Sequence, residues 1–309
     1  MNIPQRSRRS VAVIAAAATV SLALAACATG GDSAAETDDV FVIYGEEVPF
    51  NQELYDMLPD DVKEKGSLSF STDAAGPPRT FVDDSGEIVG VIPDVIHAVG
   101  ATLGLETEIL KNSFDAEVPG VESGRFDFTT GTGDFPHRRE ILDLIDYYKA
   151  GRVYLVQAGN PMGVTKDELT QCGLRVGVLK GTTQEQLVTE LSQRCEDEGL
   201  EPINLQSFNN VLLPVPLEAD RVDVVWENTS TGMMVAEESP DKFELADVLF
   251  QGYVAFGLRK DRPELRDTMQ QTLQHLMDTG VYQTIYDEWG QGELVMDYIS
   301  INSDNRDLQ

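Results

Sequence analysis

Three short segments hold the side chains with the most chemical reach. Thr129 to Arg139 carries Thr130, Thr132, Asp134, His137, Arg138 and Arg139 in one loop. Lys180 to Gln184 contains the turn Gly181-Thr182-Thr183, and Trp226 to Ser230 contains Glu227 and Asn228. A planar guanidinium holds a carboxylate through two parallel hydrogen bonds that lysine cannot reproduce. A helix start offers unsatisfied N–H groups and partial positive charge to an anion. Asp134, His137 and Glu227 are the general acid or base candidates near these loops, and His137 beside Arg138 reads better as a solvent-facing histidine.

Other chemistries fail on spacing. His97, His137 and His275 have no metal-ligand spacing, so no metal is expected. Gly131-x-Gly133 lacks the third glycine of a dinucleotide loop, because position 136 is Pro136. No phosphate-binding Gly-x-x-x-x-Gly-Lys motif or Gly-x-Ser-x-Gly elbow occurs, and no cofactor is expected.

The elements that must position these loops alternate. Strands are expected at Val40–Tyr44, Ser67–Thr72, Glu106–Leu110 and Phe126–Thr130, with helices at Leu54–Lys65, Asp94–Leu103 and Val118–Ser123. Gly104 stops the helix Asp94–Leu103 in the usual glycine position after a helix. The rhythm resumes with strands Arg175–Leu179, Ile203–Phe208, Val222–Trp226 and Val254–Leu258, and helices Gln184–Cys195, Val211–Ala219 and Thr229–Glu238. Pro263–Thr279 and Tyr282–Trp289 form a helical tail broken at Gly280. The pattern is α/β with largely parallel sheets in two lobes, the switch lying near Ala150 to Pro161. All three loops follow strands, and ligands of open α/β sheets bind beyond the carboxyl ends of strands.

Of 309 residues, 53 are acidic and 23 basic, for a net charge of -30. No Lys/Arg patch is available for phosphates, so nucleic acid is excluded as a partner. Any anion site must be built locally, by an arginine or a helix start. At the front, Arg6, Arg8 and Arg9 precede the uncharged run Val11 to Ala26, which ends at Leu24-Ala25-Ala26-Cys27. This is the order of a secretory signal, and the run is shorter than the ~20 residues of a membrane-spanning helix. The small residues before Cys27 resemble a bacterial lipobox, in which cleavage leaves Cys27 diacylated. Arg8-Arg9 fits Sec or twin-arginine export. Ala28 to Asp39 is small, polar and acidic, a tether. Cys172 and Cys195 remain, an even pair in an exported chain whose default is a disulfide, with two free buried thiols as the alternative.

Residues 66 to 292 resemble the polar-amino-acid family of substrate-binding proteins of ABC transporters, which has the type II periplasmic-binding fold. The stretches that carry the likeness are Gly66 to Asp73, Phe81 to Gly90 with Asp94, and Ser123 to Asp127 leading to Pro136-His137-Arg138. Leu144 to Tyr148, Gly181-Thr182-Thr183, Asp220 to Asp223, and Gly280 to Trp289 complete them. The resemblance implies two lobes, each a mainly parallel sheet flanked by helices. The expected divisions are 1-27 signal with lipidated Cys27, 28-65 tether and extension, 66-156 lobe 1, 157-250 lobe 2, and 251-309 the return to lobe 1.

It also implies site roles. Arg138 takes the ligand α-carboxylate, with Arg139 the competitor if the alignment slips by one. Thr182 and Thr183 add the second lobe's share of that clamp. Thr130 and Thr132 fall where the ligand's amino end is met, and which of them faces the cleft is left open. Phe81 and Tyr148 fit core and cleft wall alike. Where the family often has an aspartate for the α-ammonium this chain has Asn228, which leaves that task to Glu227 or Asp134, or to a ligand that is not an ordinary α-amino acid. Arg79 stands where an aromatic wall is common, pointing either inward to an acidic partner or outward to water.

The expected function is the extracellular solute-binding component of an ABC importer, capturing a small amino acid or related zwitterion or carboxylate. Its partners would be that ligand and the permease and ATPase subunits. It would be a monomer, held to the outer face of the cytoplasmic membrane by lipid alone, and not an enzyme. The alternatives are a small-carboxylate dehydratase on the same fold, or a receptor feeding a sensor protein.

Overall fold

The computed structural model describes residues 40–74, 76–180, 182–208 and 214–303. The leader, Cys27, the tether, Gly181 and the first part of the helix expected from Val211 lie outside them. A hairpin of β1 (Phe41–Ile43) and β2 (Glu46–Val48) precedes α1 (Gln52–Asp56) and α2 (Asp60–Lys65). The single helix expected from Leu54 to Lys65 is therefore two. Pro59 stands before α2 in extended geometry, and its ring cannot continue a helix begun upstream.

The first run of alternation is β3 (Ser67–Thr72), β4 (Phe81–Val82), β5 (Ile88–Val89), α3 (Val91–Leu103), β6 (Glu106–Lys111), α4 (Phe114–Glu122), β7 (Phe128–Gly133) and α5 (Pro136–Arg139). β8 (Leu142–Gln157) leads to the second: β9 (Arg175–Leu179), α6 (Thr183–Asp197), β10 (Asn204–Phe208), α7 (Pro214–Glu218), β11 (Val224–Asn228) and α8 (Thr229–Glu238). β12 (Phe243–Arg259), α9 (Pro263–Asp278), α10 (Val281–Glu288) and β13 (Ser300–Ile301) close the chain.

The sheet runs β10-β9-β11-β8-β12-β7-β3-β6, with β13 added to β8. Outer strands pair in parallel, β9 with β10 and β11, and β3 with β6 and β7. β8 and β12 pair antiparallel from Phe243 opposite Gln157 to Arg259 opposite Leu142. Each half is thus a mainly parallel sheet closed by one antiparallel strand.

The sequence pattern shows only Val254–Leu258 of β12 and no strand over β8. The reason lies in what these strands cross. Ile145, Tyr147, Tyr148, Val254 and Phe256 belong to one core with Phe70, Ile96 and Tyr282. Tyr154 and Val156 belong to a second with Val176, Val188 and Trp226, and Leu155 and Phe243 to a third with Val225. Between the cores Lys149, Ala150, Gly151 and Gln251 leave the buried interior, so the apolar run is interrupted while the backbone ladder continues. The ladder shifts register there, between Phe250 and Gly252.

Cys172 and Cys195 have Cα atoms 5.7 Å apart, within the span of a disulfide. Among the described residues no helix is long and apolar enough to cross a membrane.

Candidate functional site

The loop after β7 is built around Gly133. A methyl there would lie 2.7 Å from the Phe135 ring, so the glycine lets that half-exposed ring fold back over the strand end without shifting. Arg138 lies across the ring, 5.2 Å from its centroid, and its Nη1 donates to the Gly133 carbonyl at 3.0 Å. Burial lowers the Arg138 pKa, and Glu117 acts in the opposite direction. Arg139, the competing candidate, is committed elsewhere: its Nε donates to Asp134, whose side chain is fully buried. His137 is exposed and stacks on Phe135.

Thr130 and Thr132 use their hydroxyls inside the sheet. Thr130 Oγ1 donates to the Ser71 carbonyl at 3.0 Å, and the Thr130 carbonyl accepts from Tyr147 at 2.6 Å. Thr132 shares a 2.6 Å hydrogen bond with Thr129, whose Oγ1 accepts from the Gly257 N–H. A register shift between Ala255 and Gly257 brings these two threonines together. Both sequence candidates are buried, so neither presents its hydroxyl to solvent.

In the second half, Thr182 caps α6: its Oγ1 accepts from the Glu185 N–H and donates to the Leu179 carbonyl at 2.6 Å. Thr183 is the first residue of that helix. At the end of β11, Asn228 caps α8 by accepting from the Thr231 N–H at 3.0 Å. Its backbone N–H and side-chain amide both donate to Glu227 Oε1, each at 2.8 Å. Burial raises the Glu227 pKa, against these hydrogen bonds and the charge of Arg79.

Arg79 points inward. Its charge is disfavoured by burial, yet the Tyr148 hydroxyl and the Asp73 carboxylate beside it raise its pKa above the ordinary value. Its backbone is held at the start of α3, where the Val91 and Ile92 N–H groups donate to the Pro78 and Arg79 carbonyls. Gly90, at φ +135°, permits this approach, since a methyl there would meet the Arg79 oxygen at 2.3 Å. Phe81 packs edge-on against Trp289, and Tyr148 is buried against Tyr147 and Tyr286. The charge of Arg79, just before β4, acts on Glu227 at the end of β11.

Sequence reading missed two groups here. Glu117 of α4 is buried, and its carboxyl oxygens have no side-chain hydrogen-bond partner, with only the Asp73 and Thr130 backbone N–H groups approaching them at poor geometry. Burial and the nearby Asp73 push its pKa up to about 8, while Arg138 and the Asp73 and Thr130 backbone amides oppose this. Asp146 of β8 is buried, and burial together with Asp134 raises its pKa. The available signal for Glu117 was phase: with Gly120 and Val121 it lies on the inward face of α4. A separate cavity of about 470 Å³, lined by Met233, Glu237, Leu245, Asp287, Gly290, Gly292 and Glu293, contains none of the loop residues.

Comparison with known proteins agrees with the architecture. Residues 68–292 match the family described as bacterial extracellular solute-binding proteins, family 3. The chain is 30% identical over 308 residues to the arginine-binding protein ArgT of Corynebacterium glutamicum, covering 98% of each. It is 25% identical to a putative ABC transporter arginine-binding protein of Escherichia coli, over 73% of this chain and 91% of that one. Among solved structures it is similar to an ancestral cationic amino acid solute-binding protein, with a TM-score of 0.64 and 25% identity, covering 74% of this chain and 98% of the other.

Proposed function

The chain belongs to the bacterial extracellular solute-binding proteins of family 3, and from that premise we propose that it delivers a basic amino acid to an ABC importer. The observation that supports the reading is that the charge of Arg79, in the first half, acts on the partly buried Glu227 carboxyl at the end of β11 in the second. Arg138 is assigned the ligand carboxylate, assisted by Thr182 and Thr183 at the start of α6, which is 15 residues long. Glu227 is assigned the α-ammonium. Asp134 is left to Arg139, and Thr130 and Thr132 shape the loop from within.

Residues 66–156 and 251–309 form one lobe and 157–250 the other, with the hinge where β8 and β12 leave the cores near Gly151 and Gln251. Ligand contacts from both lobes stabilise the closed form. Cys27 carries the lipid anchor on the outer face of the membrane, and the receptor acts as a monomer without turnover. The relatives' names favour arginine and its congeners as ligand. Titration calorimetry of the full-length protein in detergent, against L-arginine, L-lysine, L-histidine and L-glutamine, tests the reading. Binding of none of them overturns it.

In the exported protein Cys172 and Cys195 form a disulfide, across a sequence separation of 23. A bridge of that span stabilises by roughly 3 kcal/mol. Maleimide labelling under denaturing conditions, before and after reduction, checks it: labelling of both residues without reductant shows that the bridge is absent.

A further inference from the structure

We propose that Glu117 is a specificity-determining residue that reads the positive charge of a basic ligand's side chain, an inference that rests on the amino-acid receptor reading above. Glu117 is 1% exposed, and its oxygens have no side-chain hydrogen-bond partner, with only the Asp73 and Thr130 backbone N–H groups approaching at poor geometry. A carboxyl buried in this state costs stability unless a partner arrives. The partner must be cationic or a strong donor, because a carboxylate only accepts.

Every element around Glu117 places it at the strand ends where the site lies. Asp73 follows β3, the Thr130 backbone belongs to β7, Arg138 lies in α5, and Tyr147 of β8 is near enough to feel its charge. β12 also packs on α4, and its Arg259, at the far end of the helix, pairs with Asp261. Arg138 is thus the cation beside Glu117, and Asp73 is a second carboxyl that repels it.

Charge balance then selects the ligand. Around the site stand two guanidiniums, Arg79 and Arg138, against three carboxyls, Asp73, Glu117 and Glu227. A neutral zwitterion leaves that balance unchanged, so one carboxyl must stay protonated. Once a ligand carboxylate occupies Arg138, nothing offsets Glu117. A ligand with an extra positive charge removes the deficit and lets Glu117 ionise. With its pKa pushed up to about 8, Glu117 is mostly protonated at neutral pH in the free protein. Capture of a basic ligand therefore releases a proton, and capture of its uncharged isostere does not.

The test compares L-arginine with L-citrulline, which replaces the guanidinium by a neutral urea of nearly the same shape. Full-length protein in detergent is titrated with each at pH 7, in buffers of different ionisation enthalpy. Wild type should prefer arginine and release part of a proton only with it. Glu117→Gln should cut the arginine-to-citrulline preference by about tenfold or more, keep citrulline affinity within about threefold, and abolish the proton release. Equal changes for both ligands would mark Glu117 as structural and overturn the proposal. Equal proton release by wild type with both ligands overturns it without any variant. Citrulline binding at least as tight as arginine leaves the receptor reading standing and removes this one. Binding of no amino acid removes both.

Discussion

Asn228 holds Glu227 with two groups at once, its backbone N–H and its side-chain amide meeting the same oxygen, Oε1, at 2.8 Å. Among the described residues Glu227 Oε2 accepts no hydrogen bond. Asn228 has both ends of its side chain engaged. Its own oxygen caps α8, and its amide aims the neighbouring carboxylate.

The first prediction follows from that division of labour. Glu227→Gln removes the charge that meets the α-ammonium, and hydrogen bonds to charged groups contribute about 1.5–3 kcal/mol. Affinity for L-arginine should fall roughly 10- to 150-fold with the melting temperature nearly unchanged. Asn228→Ala should instead lower stability by about 1 kcal/mol through the lost cap. Calorimetry paired with thermal melts separates the two. If Glu227→Gln binds as wild type, the ammonium site lies elsewhere.

The two adjacent arginines should divide in the same way. Arg138 leans on Phe135 and a carbonyl, contacts that a ligand carboxylate can supersede, whereas Arg139 neutralises a buried Asp134. Arg138→Ala should weaken binding by roughly 100-fold or more while the protein still folds. Arg139→Ala strands a buried carboxylate, a change that costs about 3 kcal/mol or more, and should depress the melting temperature first. The reverse pattern would transfer the carboxylate role to Arg139.

Legibility in the sequence tracked how local each determinant was. Ser67–Thr72 and Thr229–Glu238 form with the expected bounds, because a continuous buried run or a capped start marks them. β8 was missed because Asp146, Lys149, Gly151 and Arg152 interrupt its apolar residues where it passes between cores. Arg138, Glu227 and Asn228 were legible as polar residues following strands. The orientation of Thr130 and Thr132 was not, since it depends on a bulge in β7 where it pairs with β12, more than a hundred residues away. Glu117 looked like one more acidic residue in an acidic chain, and only packing shows it to be enclosed.

Gly151 offers a test of the proposed hinge. A methyl added there would stand 1.8 Å from the Leu249 carbonyl oxygen, so β8 and β12 approach too closely for any other residue. Gly151→Ala should destabilise by about 1–3 kcal/mol, in the range of overpacking. Gly131 is the control, because a methyl there meets nothing within 4 Å, and Gly131→Ala should stay within about 0.5 kcal/mol. Urea denaturation of both variants checks the contrast. Equal stabilities would mean that the strands part at little cost.

The pH dependence of stability has a definite sign. Glu117, with its pKa near 8, and Asp146, raised by burial and by Asp134, keep their protons in the folded state. In the unfolded chain such carboxyls lose them near pH 4. Their contribution is therefore fully present below about pH 4 and is lost progressively as pH rises toward 8. Asp127, Asp143, Asp223 and Glu168 act oppositely. Their pKa values are lowered, against the cost of burial, by hydrogen bonds and charges from Lys65, Arg266, Arg175 and Arg152, so their contribution is present above the ordinary carboxylate range and is lost in acid. Ligand-free protein should thus melt highest at mildly acidic pH and lose stability on both sides. Glu117→Gln with Asp146→Asn should flatten the limb between pH 5 and 8 while leaving the acid limb in place. Thermal melts of wild type and the double variant across that range decide it, and parallel curves would mean that neither carboxyl is protonated in the folded protein.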